Sequence, residues 1–234
     1  SDPNEQSVHH TTNPSTMLAL LVSAAVAAPL VSDSKVLVTY GTSAPTTFAW
    51  KEMDDPVMGG KSAGNWTVTE DYGVFQGETT IVPSLKAPGF CSAGSLEIKA
   101  DAGAYVKGSL VLMVRTTTPE YTGFKISLGA IGVPRHHDGH ELLGSYKANF
   151  TVSAGSNFSQ VVIPFTEFSS DWSDFTGNCF TKDPDGYQHL CCTPEHPEVC
   201  PTSSTLSKII QIQLWAEGVQ GNFHLEIQSI GAMM

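Results

Sequence analysis

The chain has 234 residues, with 12 basic against 23 acidic side chains and a net charge of −11. That balance argues against a nucleic-acid partner, because affinity for a phosphate backbone is built largely on Lys and Arg. Hydrophobic residues make up 41% of the chain and charged residues 15%, enough for one large core or two small ones and in keeping with an extracellular or lumenal surface.

Residues 1–16 are polar and lack apolar periodicity, so they read as disordered or as a non-native leader. The apolar run from Leu18 to Ala28 has 11 residues, too short for a membrane span and right for the core of a signal peptide. Ala25, Val26 and Ala27 supply a small-x-small cleavage pattern. Residues 17–30 are therefore read as signal-peptide-like, with a buried apolar helix as the alternative. Contact with a membrane is expected only through this segment, if it is retained.

A single β-sandwich domain is expected over residues 35–234, opening with the strand Lys35–Tyr40. The stretch DDPVMGGKS, Asp54 to Ser62, then ends like a phosphate-binding loop. Such a loop needs glycine five residues before the second glycine and a helix after it. Asp55 stands at the first position and a strand-like segment, AGNWTVTE, follows. The stretch reads instead as a turn in which Gly59 and Gly60 permit unusual backbone angles and Asp54, Asp55 or Ser62 satisfies buried amides. Asn65–Glu70 and Gly73–Val82 then form a hairpin about Asp71 and Tyr72.

Further strands are expected at Gly108–Thr116, Gly123–Gly129, Ser145–Val152 and Ser159–Phe165. Between the second and third of these, PRHHDGHE places His136, His137, Asp138 and His140 within five residues. They are either loop ligands for a transition metal or, the favoured reading, a solvated hairpin tip turning at Asp138-Gly139. No metal or other cofactor is assigned.

Four of the five cysteines, Cys179, Cys191, Cys192 and Cys200, fall in one Pro-, Asp- and Gly-rich segment without strand or helix period. An irregular loop of this length is usually held by disulfides. Zinc is disfavoured because Cys191 and Cys192 are adjacent instead of two to four residues apart. Pairing is not legible, and Cys91 is either a buried free thiol or a partner of one loop cysteine. Sequons at Asn65, Asn149 and Asn157 are candidate glycosylation sites that agree with secretion.

The chain closes on two alternating segments. In IIQIQLWAE, Ile210, Ile212 and Leu214 alternate with Gln211 and Gln213; in NFHLEIQSI, Phe223, Leu225 and Ile227 alternate with His224, Glu226 and Gln228. Period two means one buried and one wet face. Nine or ten short strands fit an all-β sandwich of jelly-roll type.

The order of Trp50-KEM-DDPVMGGKSAGNW, GVFQGETT, GFCSAG, YKANFTV, VVIPFTEF and FHLEIQSIGA resembles the complex I intermediate-associated protein 30 family, over about residues 48 to 232. The loop motif rests on Trp50, Asp54, Val57, Met58, Gly59, Gly60 and Ser62. The resemblance implies a galactose-binding-domain-like β-sandwich, in which these loop residues are structural, and a role like that of the family's mitochondrial assembly factors. The leader-like segment, the sequons and the cysteine-rich insertion depart from the mitochondrial members and point to the secretory pathway, with an organellar site beside a membrane complex as the alternative.

No Gly-x-Ser-x-Gly or His-Glu-x-x-His motif is present, and loop carboxylates such as Asp54, Asp55, Asp171 and Asp174 read as turn formers. A non-enzymatic interaction or scaffold domain that binds subunits of a protein complex is therefore expected. The alternative is a carbohydrate-binding module recognising glycans. It would use Trp172, Tyr187 and Trp66 as exposed stacking faces, with Trp66 and Trp215 equally readable as core because they lie in strands, or the histidine loop. An apolar patch on one sheet face would favour the scaffold.

Overall fold

A computed structural model describes residues 33–41, 47–55, 59–85, 88–95, 97–134 and 143–234. The leader-like segment, Val57 and Met58 of the motif loop, and His136, His137 and His140 lie outside the described residues. Asp33–Met234 forms one unit, built as two antiparallel sheets packed face to face.

The first sheet holds β1 (Ser34–Thr39), β3 (Ala63–Val68), β4 (Gly73–Thr79), β6 (Ser109–Thr116), β9 (Ser159–Pro164) and β11 (Gly221–Met233). Its order is β3-β4-β11-β6-β9, with β1 also paired to β11. The second is β2-β5-β10-β7-β8, from β2 (Trp50–Asp54), β5 (Phe90–Ser95), β7 (Phe124–Ala130), β8 (Ser145–Asn149) and β10 (Ile209–Glu217). One helical turn, α1 (Ser203–Leu206), starts from a capping box between Thr202 and Thr205.

Alternation decides which side chains meet between the sheets. Ile212, Leu214 and Ala216 of β10 and Phe124, Ile126 and Leu128 of β7 face Leu110, Leu112 and Val114 of β6 and Phe223, Leu225 and Ile227 of β11 in one buried cluster. Between Ile227 and Ser229 the β11–β6 register shifts. That bulge resets the phase, so Ile230 and Ala232 also point inward.

The all-β sandwich expectation holds, and the β3–β4 hairpin turns at Thr69–Tyr72, where Thr69 N–H donates to the Tyr72 carbonyl. Two strands were not anticipated. WKEMD (β2) carries three charges in five residues, and FCSAGS (β5) is made mostly of small residues. Both are fixed by tertiary pairing, β2 to β5 and β5 to β10, which overrides weak local preference. Trp50 of β2 stacks on Trp66 of β3 at 5.2 Å, with Tyr40 edge-on to both at 5.1 and 5.4 Å.

Candidate functional site

The motif loop folds onto a carboxylate. Asp55 is buried, and its Oδ1 accepts from Ser62 N–H at 2.8 Å while Oδ2 accepts from Ser62 Oγ at 2.7 Å and Phe90 N–H at 3.1 Å. Ser62 Oγ in turn accepts from Thr80 N–H at 3.0 Å. Asp54 Oδ2 accepts from Gly64 N–H at 2.7 Å. One turn thus ties β2 to the starts of β3 and β5. Gly60 has no substitute here, because a Cβ would lie 2.1 Å from Asp55 Cγ. Asp55 spends both oxygens on the chain's own amides and on the Ser62 hydroxyl, whereas Asp54 uses Oδ2 alone. Cys91 is a buried free thiol; burial first, and then the neighbouring Asp54, hold its pKa far above the ordinary thiol range.

The cysteine-rich loop is closed by Cys179–Cys191 and Cys192–Cys200, two consecutive rings meeting at the adjacent cysteines. Its interior is held by His189. Nδ1 lies 2.7 Å from Asp171 Oδ1 and Nε2 lies 2.6 Å from Asp183 Oδ2, with all three residues buried. Asp183 also accepts from Ser173 Oγ at 2.5 Å, and Asp171 Oδ2 from Leu190 N–H at 3.0 Å. Burial opposes the charged imidazolium, but the hydrogen bonds and charges of Asp183 and Asp171 outweigh it and raise the His189 pKa above 6.5.

This loop roofs part of the outer face of the five-stranded sheet, which alternation marks as wet. Beneath it Lys147 is clamped between Trp172 and Trp215, its Nζ 3.7 and 4.0 Å from the ring centroids, and bonded to Glu217 Oε2 at 2.9 Å. Lys125 Nζ donates to the Glu217 carbonyl at 3.3 Å, and burial pulls its pKa down. Trp215 Nε1 donates to Ser127 Oγ at 2.9 Å.

Trp172 is therefore not the exposed stacking face expected of it. It is 3% exposed, covered by Lys147 and donating to the Ser145 carbonyl at 3.2 Å. Tyr187 packs its ring edge against His189 at 4.9 Å and donates to Asp171 Oδ2 at 3.3 Å. Lys125, Lys147 and Glu217 were missed because nothing in three separate strands announces that one loop will cover them. Among the described residues no group of three or more His, Cys, Asp or Glu is placed to hold a metal ion.

Where the roof ends there is a cleft of about 650 Å3 lined by Ile81, Pro83, Pro88, Phe175, Phe180 and Val219, with Lys125, Glu217, Asn149 and Asn178 among its polar residues. Phe180 is 67% exposed. All three sequon asparagines, Asn65, Asn149 and Asn157, lie at the surface.

Among the described residues, the outer face of the six-stranded sheet carries an exposed apolar row. Register places Val36 beside Gly231, Gly231 beside Val111 and Val111 beside Val162, a single row across β1, β11, β6 and β9. Val36 is 65% and Val162 47% exposed, and the half-buried Met113 and Met233 flank the row on the same face. Beyond Met113 the character changes. Arg115 lies over the rings of Phe158 and Tyr72, at 4.5 and 5.1 Å, and pairs with Glu226, which also meets His224 Nε2 at 3.0 Å.

No curated protein matches the chain. The solved structure of PfGH50B is similar over 85% of this chain at 12% identity, with a TM-score of 0.43, and the chain spans 24% of that protein's length. The profile of the Complex I intermediate-associated protein 30 (CIA30) family matches residues 40–175, from the aromatic cluster through the motif turn to the lip of the cleft. The chain belongs to the Complex I intermediate-associated protein 30 family.

Proposed function

We propose that this chain is a non-enzymatic interaction domain that binds a subunit of a protein complex and assists its assembly, as the family's name describes for intermediates of complex I. The observation that carries this reading is the bare row Val36, Val111 and Val162, flanked by Met113 and Met233 on a sheet face that nothing among the described residues covers. An uncovered apolar strip bordered by charge is the usual form of a docking surface. Burying each valine in a partner contributes about 1.5–3 kcal/mol, and Arg115 and Glu226 at the strip's end fix orientation more than affinity. The carbohydrate-binding alternative is weakened by the burial of Trp172.

Two disulfides favour an oxidising compartment, which we assign to the secretory pathway. Among the described residues no helix is long and apolar enough to cross a membrane.

The test is crosslinking in cells that make the protein, followed by co-purification from native membranes, comparing the parent with the double variant V36D/V162D. The variant is expected to keep the parent's thermal midpoint and lose the crosslinked subunit, while F180A keeps it. Retention of the same subunit by V36D/V162D overturns the sheet-face reading. A clear ligand on a glycan array without any protein partner replaces it with the carbohydrate one.

A further inference from the structure

The cleft beside the cystine loop holds an aromatic ring open to water next to a sequon asparagine, and the docking surface uses neither. Asn149 ends β8 and begins Asn149-Phe150-Thr151; Phe150 is turned into the core, leaving Asn149 and Thr151 at the surface. Nδ2 of Asn149 carries two hydrogens, and one is donated to Asn178 Oδ1 at 2.9 Å. That bond fixes the amide's orientation and leaves one N–H outside it. Asn149, Asn178 and Phe180 line the same cleft. Phe180 follows Cys179, whose bond to Cys191 ties down the backbone there. A large apolar ring 67% exposed on a covalently fastened loop is unexplained by the domain's own packing.

We propose that Asn149 carries an N-linked glycan whose first N-acetylglucosamine units seat in this cleft against Phe180. The donor is a polyprenyl-diphosphate-linked oligosaccharide of the secretory pathway, acted on by the cell's transferase. The bond from Nδ2 to the sugar's C1 forms as the C1–O bond to diphosphate breaks. The diphosphate leaves with the electron pair, and Nδ2 gives up one proton. The remaining N–H still donates to Asn178, so Asn178 is a positioning residue for the sugar. The apolar face of the pyranose covers the Phe180 ring, with Thr122 and Thr151 among the polar residues of the cleft wall. Asn65 on β3 and Asn157 in its turn do not line this cleft, so sugars there would stand in water.

This rests on the secretory assignment and is tested apart from it. The full chain is expressed once with its own N-terminus and once behind a supplied secretory leader; export of the first tests the compartment alone. On the second, glycopeptide mass spectrometry is expected to find Asn149 occupied. Native-state digestion with peptide-N-glycosidase is expected to release that glycan about tenfold more slowly than any at Asn65 or Asn157. F180A keeps occupancy and removes the protection, and N178A does the same. T151A abolishes occupancy while leaving Asn149 itself in place, which separates loss of sugar from misfolding. An unoccupied Asn149, or release at the same rate in parent and F180A, overturns the proposal.

Discussion

The ammonium of Lys147 lies 2.9 Å from the carboxylate of Glu217, with side-chain exposures of 1% and 4%. Two charges so far from water stabilise each other only as a pair, since each alone carries an unmet desolvation cost. K147M and E217Q are each expected to lower the unfolding free energy by about 3–5 kcal/mol. The double variant K147M/E217L is expected to cost less than either, because it removes both charges. Urea denaturation of the three variants checks this. A double variant worse than both singles would count against the pair as the source of the loss.

The motif turn is expected to fail through Asp55 before Asp54. Asp55 accepts three hydrogen bonds from two segments and Asp54 one. Bonds to charged groups are worth about 1.5–3 kcal/mol each in context, so D55A should cost about 3 kcal/mol or more and D54A clearly less. G60A should resemble D55A, since its methyl needs the space of the carboxylate. Thermal midpoints in one buffer rank the three.

Stability should depend on pH through His189. Unfolded, the imidazole titrates at its ordinary 6.5; folded, its pKa is raised by Asp183 and Asp171 against the effect of burial. Below 6.5 both states hold the proton and the stabilisation is fully present. As pH rises through the folded value it is lost. The parent is therefore expected to lose thermal stability relative to H189Q as pH rises above 6.5, where the H189Q curve is flatter. Parallel curves for the two proteins would remove His189 as the cause.

Reduction should lift the roof and leave the sandwich. The cystine rings span separations of 12 and 8 residues, and opening either is expected to cost about 2–3 kcal/mol. Trp172 and Trp215 flank Lys147 beside that loop, whereas Trp50 and Trp66 stack on each other between β2 and β3. Mild reductant should shift tryptophan fluorescence to the red before far-ultraviolet dichroism changes. A single coincident transition would mean that roof and sandwich unfold together.

Much of the sandwich is legible in the chain. Alternation in IIQIQLWAE marks β10, but at its start Ile209 and not Ile210 turns inward, because the register to β7 shifts between Ile209 and Gln211; Asp55 already disqualifies a phosphate loop. β2 and β5 are illegible because charged and small residues carry no period; their pairing is written in β10 and in the strand order. The Lys147–Glu217 pair is separated by 70 positions and depends on a loop whose disulfide pairing no spacing rule selects. The row Val36, Val111 and Val162 needs three registers to be known at once. Trp172 misleads because a tryptophan among polar loop residues reads as exposed, when its neighbours are in fact the partners that bury it.

The pairing of β1 with β11 brings Ser34 beside Met233, and Met234 N–H donates to the Asp33 carbonyl at 3.3 Å. The first and last strands of the sandwich thus lie side by side, with β6 on the other side of β11. A domain of this geometry can be spliced into an exposed loop of a host protein without prising that loop apart. Pulling on its ends would unzip β1 from β11 one hydrogen bond at a time, a weak mechanical geometry, whereas load applied through the opposite edge strand β9 would meet the sheet in shear.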